Sequence, residues 1–300
     1  MKVSIIGSGY TGSLLGKGLV KAGNQVVFCD IKNEVVESLI KKGYDATLNI
    51  KRAIRDTDIS FICVPTPTRN GEIDLSYVKS AVESVANEIK TKSGYHLIVL
   101  KSTAVPTTTE NFMKPILENV SGKKCGEDFG LCANPEFLTQ VHNTTKDPEL
   151  KAWYDSNPTG IKTFEDKAVI GSYDKKSGDM LEQLFTQLNI PIFRTDIKTA
   201  EVIKYAHNLV LASRISYWNE MSLICNALGV DSKTVANIVS TDNRIGKYGT
   251  VHGKAFGGDC LPKDLEAFVN FVKKNNIDPK ILEAILYTNN YFAEKYGTRE

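Results

Sequence analysis

The chain has 300 residues, 42% hydrophobic and 24% charged, which is enough for about two domains with real cores. Its 37 Lys and Arg against 35 Asp and Glu give a formal charge of +2, and no basic run is long enough to track nucleic acid. No stretch approaches about eighteen uncharged apolar residues, so no membrane span is expected, and glycines interrupt the apolar N-terminus before it forms a signal-peptide core. The six cysteines show no CxxC spacing, which reads as thiols in a reducing cytoplasm.

In chain order, residues 1 to about 100 alternate short β-branched runs with helical segments, the form of βαβ units. Lys2 to Ile6 reads as a buried strand running into Gly7-Ser-Gly-Tyr-Thr-Gly12, followed by a helix from Leu14 to Ala22. Gln25 to Cys29 is a second strand, ending at Asp30, and Glu34 to Lys42 is helical. Ile59 to Val64 is a third strand, closed by Pro65-Thr-Pro67. Val78, Ala81, Val82, Val85 and Ile89 recur at a helical period within Tyr77 to Lys90. Leu97 to Leu100, Phe129 to Ala133, Ala168 to Gly171 and Ile190 to Arg194 continue the sheet, with a helix at Leu181 to Leu188. Residues 139 to 166 are irregular and polar, an expected surface excursion.

From Thr199 to Leu228 one helical pattern runs without Pro or Gly, with Asp196 or Thr199 as its cap and Gly229 just past its end. Helices are expected at Ser232 to Ser240, Lys263 to Lys274 and Pro279 to Tyr296, with a Gly-rich loop from Ile245 to Gly258. The expected architecture is α/β: a Rossmann-type doubly wound sheet over 1–198, then an all-helical substrate and dimerisation domain over 199–300 built on a long central helix.

Gly7, Gly9 and Gly12 lie between a strand and a helix, the context a dinucleotide fingerprint requires. Gly7 permits the tight turn, Gly9 lets backbone approach pyrophosphate, and Gly12 lets helix and strand pack closely. The helix N-terminus then presents N–H groups to the phosphates. Asp30, 18 residues after Gly12, is placed to accept hydrogen bonds from a ribose, which favours NAD over NADP; Lys32 beside it tempers that preference.

A second signal is Phe256-Gly-Gly-Asp-Cys260-Leu-Pro-Lys-Asp264. Glycines before a cysteine and a helix after it expose the thiol at a helix N-terminus, where the dipole and Lys263 favour thiolate. A small buried hydrophobe is the commoner fate of a cysteine, so both readings stand at this point. A third signal is Glu201, Lys204 and Asn208, spaced to share one face of the long helix. A surface Glu–Lys pair is the plain reading. Against it, the flanking Val202, Ile203, Tyr205, Ala206, Leu209, Val210 and Leu211 are mostly apolar, and burying Lys or Asn without a partner is costly. The four histidines are scattered, so no metal site is expected, and His207 reads as a packed helix residue.

Together these motifs resemble the UDP-glucose/GDP-mannose dehydrogenase family. The resemblance rests on Gly7 to Gly12, Val64-Pro-Thr-Pro67, Lys101-Ser-Thr103, Asn134-Pro-Glu-Phe-Leu138, Glu201 to Glu220, Asp242-Asn-Arg-Ile-Gly246 and Phe256 to Asp264, in order along most of the chain. It implies oxidation of a sugar-nucleotide primary alcohol to a carboxylate with two NAD+. By that resemblance Lys204 and Asn208 stabilise the alkoxide-like oxygen, Cys260 attacks the aldehyde, and Glu136 and Asp264 order water. Thr103, Ser102 and the loop Val64, Pro65, Thr66 line the nicotinamide side, while Gly7, Gly9, Tyr10, Thr11, Gly12, Asp30 and Lys32 hold the rest of the cofactor. Glu136, Phe137, Leu138, Lys204, Asn208, Arg244, Phe256 and Gly257 face the substrate, Arg244 from a neighbouring subunit. Arg244-Ile-Gly is more similar to the UDP-glucose branch, and Ala255-Phe-Gly-Gly is also similar to GDP-mannose enzymes. The long helix is expected to pair with its copy in a homodimer.

Three features depart from the family pattern. Members continue into a further α/β domain for the base and ribose, and this sequence stops at Glu300, just after the helix that leads into it. Gln140 stands where the family has a second Glu, and Gln cannot act as a base. The stretch from Asp30 to Ile59 is short, while 139–166 is expanded. The expected function is therefore an NAD-dependent sugar-nucleotide 6-dehydrogenase converting UDP-glucose to UDP-glucuronate. The alternatives are a GDP-mannose or UDP-N-acetyl-sugar enzyme, a two-electron hydroxyacid-type dehydrogenase, and a non-catalytic NAD-binding protein.

Overall fold

The computed structural model describes residues 1–138, 147–156, 167–258 and 260–299. The chain forms two compact units, the first from Met1–Pro67, Ile73–Leu138 and Gly160–Lys204, the second from Thr68–Glu72, Thr139–Thr159 and Tyr205–Glu300.

The first unit is built on β1 (Lys2–Ile6), β2 (Gln25–Cys29), β3 (Ala46–Thr47), β4 (Ile59–Ile62), β7 (His96–Leu100), β8 (Phe129–Ala133), β9 (Ala168–Ser172) and β10 (Ile192–Thr195). Their order across the sheet is β10-β9-β8-β7-β4-β1-β2-β3, and every pairing is parallel except β8 with β9. Strand side chains alternate between faces, and both faces are covered. Ile6, Ile62, Ile98 and Leu100 join one core with α3 (Ile50–Arg55), α4 (Ser76–Thr91) and α5 (Lys114–Ser121). Val3, Ile5, Ile59, Phe61, Leu97 and Val99 join the other with α1 (Tyr10–Lys21), α2 (Asn33–Lys41) and α7 (Lys175–Thr186). Ile5, Phe28, Phe61 and Phe129 are wholly buried, each contributing about 1.5–3 kcal/mol by removal from water. The doubly wound expectation is met. The order reverses between β1 and β4, so the crevice that such sheets use for ligands opens beyond Ile6 and Ile62.

Several short elements escape the hydrophobic pattern: β3, α3, a π-helical turn at Thr108–Met113, α5 and α6 (Pro148–Ser156). The predicted helix starts also shift, and the caps explain why. Helix α1 begins at Tyr10, directly after Gly9, and α7 begins at Lys175 because Asp174 accepts the Ser177 N–H.

The long helix α8 (Ile197–Ala227) runs from the first unit into the second, and Asp196 caps it by accepting the Thr199 N–H and Oγ–H. In the second unit follow α9 (Ser232–Val239), α10 (Leu261–Lys274) and α11 (Lys280–Tyr296). This helical unit also holds a parallel pair of two-residue strands, β11 (Ala255–Phe256) and β12 (Thr298–Arg299), where only helices were expected. The strands β5 (Thr68–Arg69) and β6 (Glu72–Ile73) form a hairpin held to α10, where Thr68 Oγ donates to the Lys263 carbonyl and Asn270 donates to the Gly71 carbonyl.

Candidate active site

In the first unit the glycine turn has the geometry of a phosphate cradle. Gly7 has φ +89°, and a Cβ there would sit 2.8 Å from the Cys63 carbonyl oxygen. A Cβ on Gly12 would run into the Gly7 carbonyl oxygen and lie 2.9 Å from Ile5 Cγ2. Gly9 differs: among the described residues nothing lies within 4 Å of a Cβ built on it, and no side chain caps α1 there. The side-chain-free Gly9 directly before the first N–H groups of α1 suits the close backbone approach of an anionic pyrophosphate. Asp30 follows the end of β2 and binds this turn, its Oδ2 accepting the Ser8 N–H at 2.7 Å and its Oδ1 the Lys32 N–H at 3.0 Å. Each oxygen keeps a lone pair for a ribose hydroxyl. Tyr10 and the Lys32 side chain are exposed, and Thr11 is half-buried. The residues present fit a dinucleotide. Beyond β4, Val64 is half-buried, Pro65 exposed and Thr66 buried; Ser102 Oγ donates to the Val64 carbonyl at 2.6 Å, joining this loop to the Ser102–Thr103 segment.

A buried charge cluster adjoins that segment. Leu100, Ser102, Thr103, Ala104, Ala133, Pro135, Glu201 and Lys204 line one recess. Lys204 is 3% exposed, and its ammonium donates to the Glu136 carbonyl at 2.7 Å and to Glu136 Oε1 at 3.2 Å. Glu136 Oε2 accepts the Leu138 N–H at 2.7 Å. Burial pushes the Glu136 carboxyl upward, but Lys204, the Leu138 N–H and Lys101 outweigh it and hold its pKa below the ordinary value. Phe137 is buried, with the Lys204 ammonium 5.6 Å from its ring centre. Lys101 is fully buried and donates to Asn134 Oδ1 at 3.0 Å, while Asn134 Nδ2 donates to the Val169 carbonyl at 2.8 Å. The sequence motif contained Lys101 and Asn134 without giving either a task. The signal for Lys101 was a charge placed directly after the wholly apolar run Leu97–Leu100.

In the second unit Cys260 is the N-cap residue of α10, and its carbonyl accepts the Asp264 N–H at 2.9 Å. Asp264, 1% exposed, accepts from Asn208 Nδ2 at 2.7 Å and from the Lys263 ammonium at 2.5 Å. Asn208 is 5% exposed. With Nδ2 committed to a carboxylate, its Oδ1 faces His207 Nδ1 at 3.1 Å, so that ring nitrogen donates. The surface Glu–Lys reading of α8 is overturned: Glu201, Lys204 and Asn208 are all buried, each with a separate partner. Phe256 is buried in the second unit, its backbone held at both N–H and C=O by the Asn289 amide, and Gly257 packs on Thr298 and Arg299. Arg244 is 89% exposed in its side chain and pairs only with Asp242 among the described residues. Gln140 and Asp259 lie outside the described residues. None of the six cysteines forms a disulfide, and among the described residues no acidic, His or Cys cluster suits a metal and no helix is long and apolar enough to cross a membrane.

The UDP-glucose/GDP-mannose dehydrogenase family matches through its NAD binding domain over residues 33–189 and its central domain over 198–291. The chain belongs to this family. NAD is its cofactor, and it is an oxidoreductase of the sugar-nucleotide 6-dehydrogenase group. It is 34% identical to the GDP-mannose 6-dehydrogenase of Pseudomonas aeruginosa, over 98% of this chain and 70% of that one. It is 35% identical to a UDP-glucose 6-dehydrogenase of Haloferax volcanii, over 98% and 71%. The solved structure of a UDP-glucose dehydrogenase from Pyrobaculum islandicum superposes with a TM-score of 0.84 at 30% identity, over 97% of this chain and 68% of that one. The family expectation drawn from the motifs is thus met, and relatives named for either sugar nucleotide match at the same level.

Proposed function

We propose that this family member oxidises UDP-glucose to UDP-glucuronate in two steps joined by a covalent bond to Cys260. The observation that carries the reading is the placement of Cys260 at the N-terminus of α10, one turn before a buried Asp264 that holds Asn208. NAD+, when bound, accepts a hydride at its nicotinamide ring. The chain does the rest. Gly7, Gly9, Gly12 and the first N–H groups of α1 hold the pyrophosphate, Asp30 the ribose, and Thr66, Ser102 and Thr103 the nicotinamide side. Lys204 and Asn208, four residues apart on α8, stabilise the substrate oxygen as it takes on negative charge, with Glu136 fixing the ammonium. The Cys260 thiolate adds to the aldehyde carbon to give a thiohemiacetal, which after the second oxidation is a thioester. Water attacks that carbonyl and the sulfur leaves as thiolate. Both oxygens of Asp264 already have donors, so its first task is to orient Asn208, and a remaining lone pair orders the water.

Arg244-Ile-Gly supports UDP-glucose. Ala255-Phe-Gly-Gly and the Pseudomonas relative favour GDP-mannose as the second reading. The exposed Arg244 suits a residue that reaches a neighbouring subunit. Ala206, Val210, Tyr217 and Ile224 lie along one side of α8 at coiled-coil spacing and are exposed, which supports a homodimer through this helix. Cys260→Ser tests the covalent step. The variant is expected to stop at the aldehyde level, and undiminished carboxylate output from it contradicts the proposal.

A further inference from the structure

One turn before Lys204, Glu201 is 4% exposed. Its Oε2 accepts the Thr107 N–H at 2.6 Å, and its Oε1 accepts the Thr109 N–H at 2.9 Å and the Thr109 Oγ–H at 2.7 Å. Burying a carboxylate is costly, and dense hydrogen bonding is what makes it tolerable. The donors converge because Thr107 is the N-cap residue of the π-helical turn and Thr109 its second residue, where N–H groups lack partners within the turn and no side chain of Thr107 caps them. Thr107 has φ +79°, a left-handed conformation that a β-branched residue holds only where its surroundings impose it. Glu201 binds that strained residue directly. Three residues separate Thr107 from Thr103, and Glu201, Lys204, Ser102 and Thr103 line the same recess.

We propose that Glu201 is a positioning residue whose carboxylate ties the Ser102–Thr109 segment to the turn of α8 that carries Lys204, and so sets Thr103 relative to the Lys204 ammonium. Burial lifts this carboxyl to about 7 against the pull of the three hydrogen bonds, with Glu110 adding to the rise. Above about pH 7 the fold holds a charge at a place where a neutral residue would be less costly to bury, and below it the protonated carboxyl still accepts from Thr107 and Thr109. The inference rests on the proposed roles of Thr103 and Lys204.

The test uses Glu201→Gln, which keeps the size of the side chain but replaces one acceptor oxygen with an NH2 that cannot accept from Thr107 or Thr109. In amide hydrogen exchange, the Thr107 and Thr109 amides of the variant are expected to exchange at least about tenfold faster while those of β1, β4 and β7 keep their protection. In kinetics with NAD+ and UDP-glucose, kcat is expected to fall at least about tenfold with KM for NAD+ changing less than kcat, because the pyrophosphate and ribose contacts at the glycine turn and Asp30 are untouched and only the nicotinamide side shifts. Thr109→Val, which deletes one donor, should lower kcat less and add little to Glu201→Gln. Unchanged exchange at both amides overturns the proposal, as does faster exchange with an unchanged kcat. If the wild-type chain oxidises no sugar nucleotide, the proposed function fails, and the exchange experiment still decides whether Glu201 holds the segment.

Discussion

Replacing Lys204 with Met deletes the ammonium while filling much the same volume. The cost follows from what is left behind. The Glu136 side chain is 12% exposed, and the variant removes one direct ion-pair contact at 3.2 Å and the donor to the Glu136 carbonyl at 2.7 Å. Breaking a buried pair on one side costs about 3–5 kcal/mol, because the surviving charge stays desolvated. The cost depends on pH, and its sign is fixed by Glu136. In the wild type the folded-state carboxyl is held below its ordinary value, so it contributes stability above pH ~4.5 that is lost as pH falls through the folded pKa. Without Lys204, burial is opposed only by the Leu138 N–H and Lys101, the carboxyl rises, and the variant loses stability as pH increases. The two curves diverge upward in pH. Urea unfolding of both proteins at about pH 4 and pH 7.5 measures this, with a gap of about 3 kcal/mol or more expected at the higher pH and a smaller one at the lower. A gap below about 1 kcal/mol, or one that does not change with pH, would refute the reasoning.

Two glycines of the cofactor turn should behave in opposite ways. Gly9→Ala meets nothing within 4 Å among the described residues and should leave stability within about 0.5 kcal/mol while weakening NAD+ at least about tenfold; Gly12→Ala collides with the Gly7 carbonyl and should destabilise the fold by about 1–3 kcal/mol. Unfolding curves and NAD+ titrations of the pair separate the two roles, and a destabilised Gly9→Ala would show that the space above it belongs to the protein. For the helix seam, Tyr217→Arg places a charge among exposed apolar residues and should shift the chain towards monomer in light scattering. A wild type that is already monomeric counts against the seam.

The parts of this fold that were legible in the sequence are those whose burial is periodic. Val3 and Ile5 face one core and Ile6 the other, and α4 buries Val78, Ala81, Val82, Val85 and Ile89, so alternation and helical period both register. Helix α3 has six residues and β3 two, too few for either period to appear, and they are fixed by the Asn49 cap and by pairing with Phe28 and Cys29. The site divides along the same line. The glycine turn and the Cys260 loop are local, and their geometry follows from adjacent residues. The buried polar pairs are not local. Glu201 meets Thr107 and Thr109 from more than ninety positions away, and Lys204 meets Glu136 across 68. The sequence placed Glu201, Lys204 and Asn208 on one helix face, but only the folded chain shows that each is buried against a different partner.

The central claim is a four-electron oxidation by a chain carrying both the cofactor turn and the cysteine loop. Its most direct measurement is the number of NADH molecules formed per sugar consumed, with NAD+ and, separately, UDP-glucose, GDP-mannose and UDP-N-acetyl sugars. About two per sugar are expected with UDP-glucose, as two hydride transfers require. One per sugar would contradict it, leaving a two-electron dehydrogenase in which Cys260 has no catalytic part.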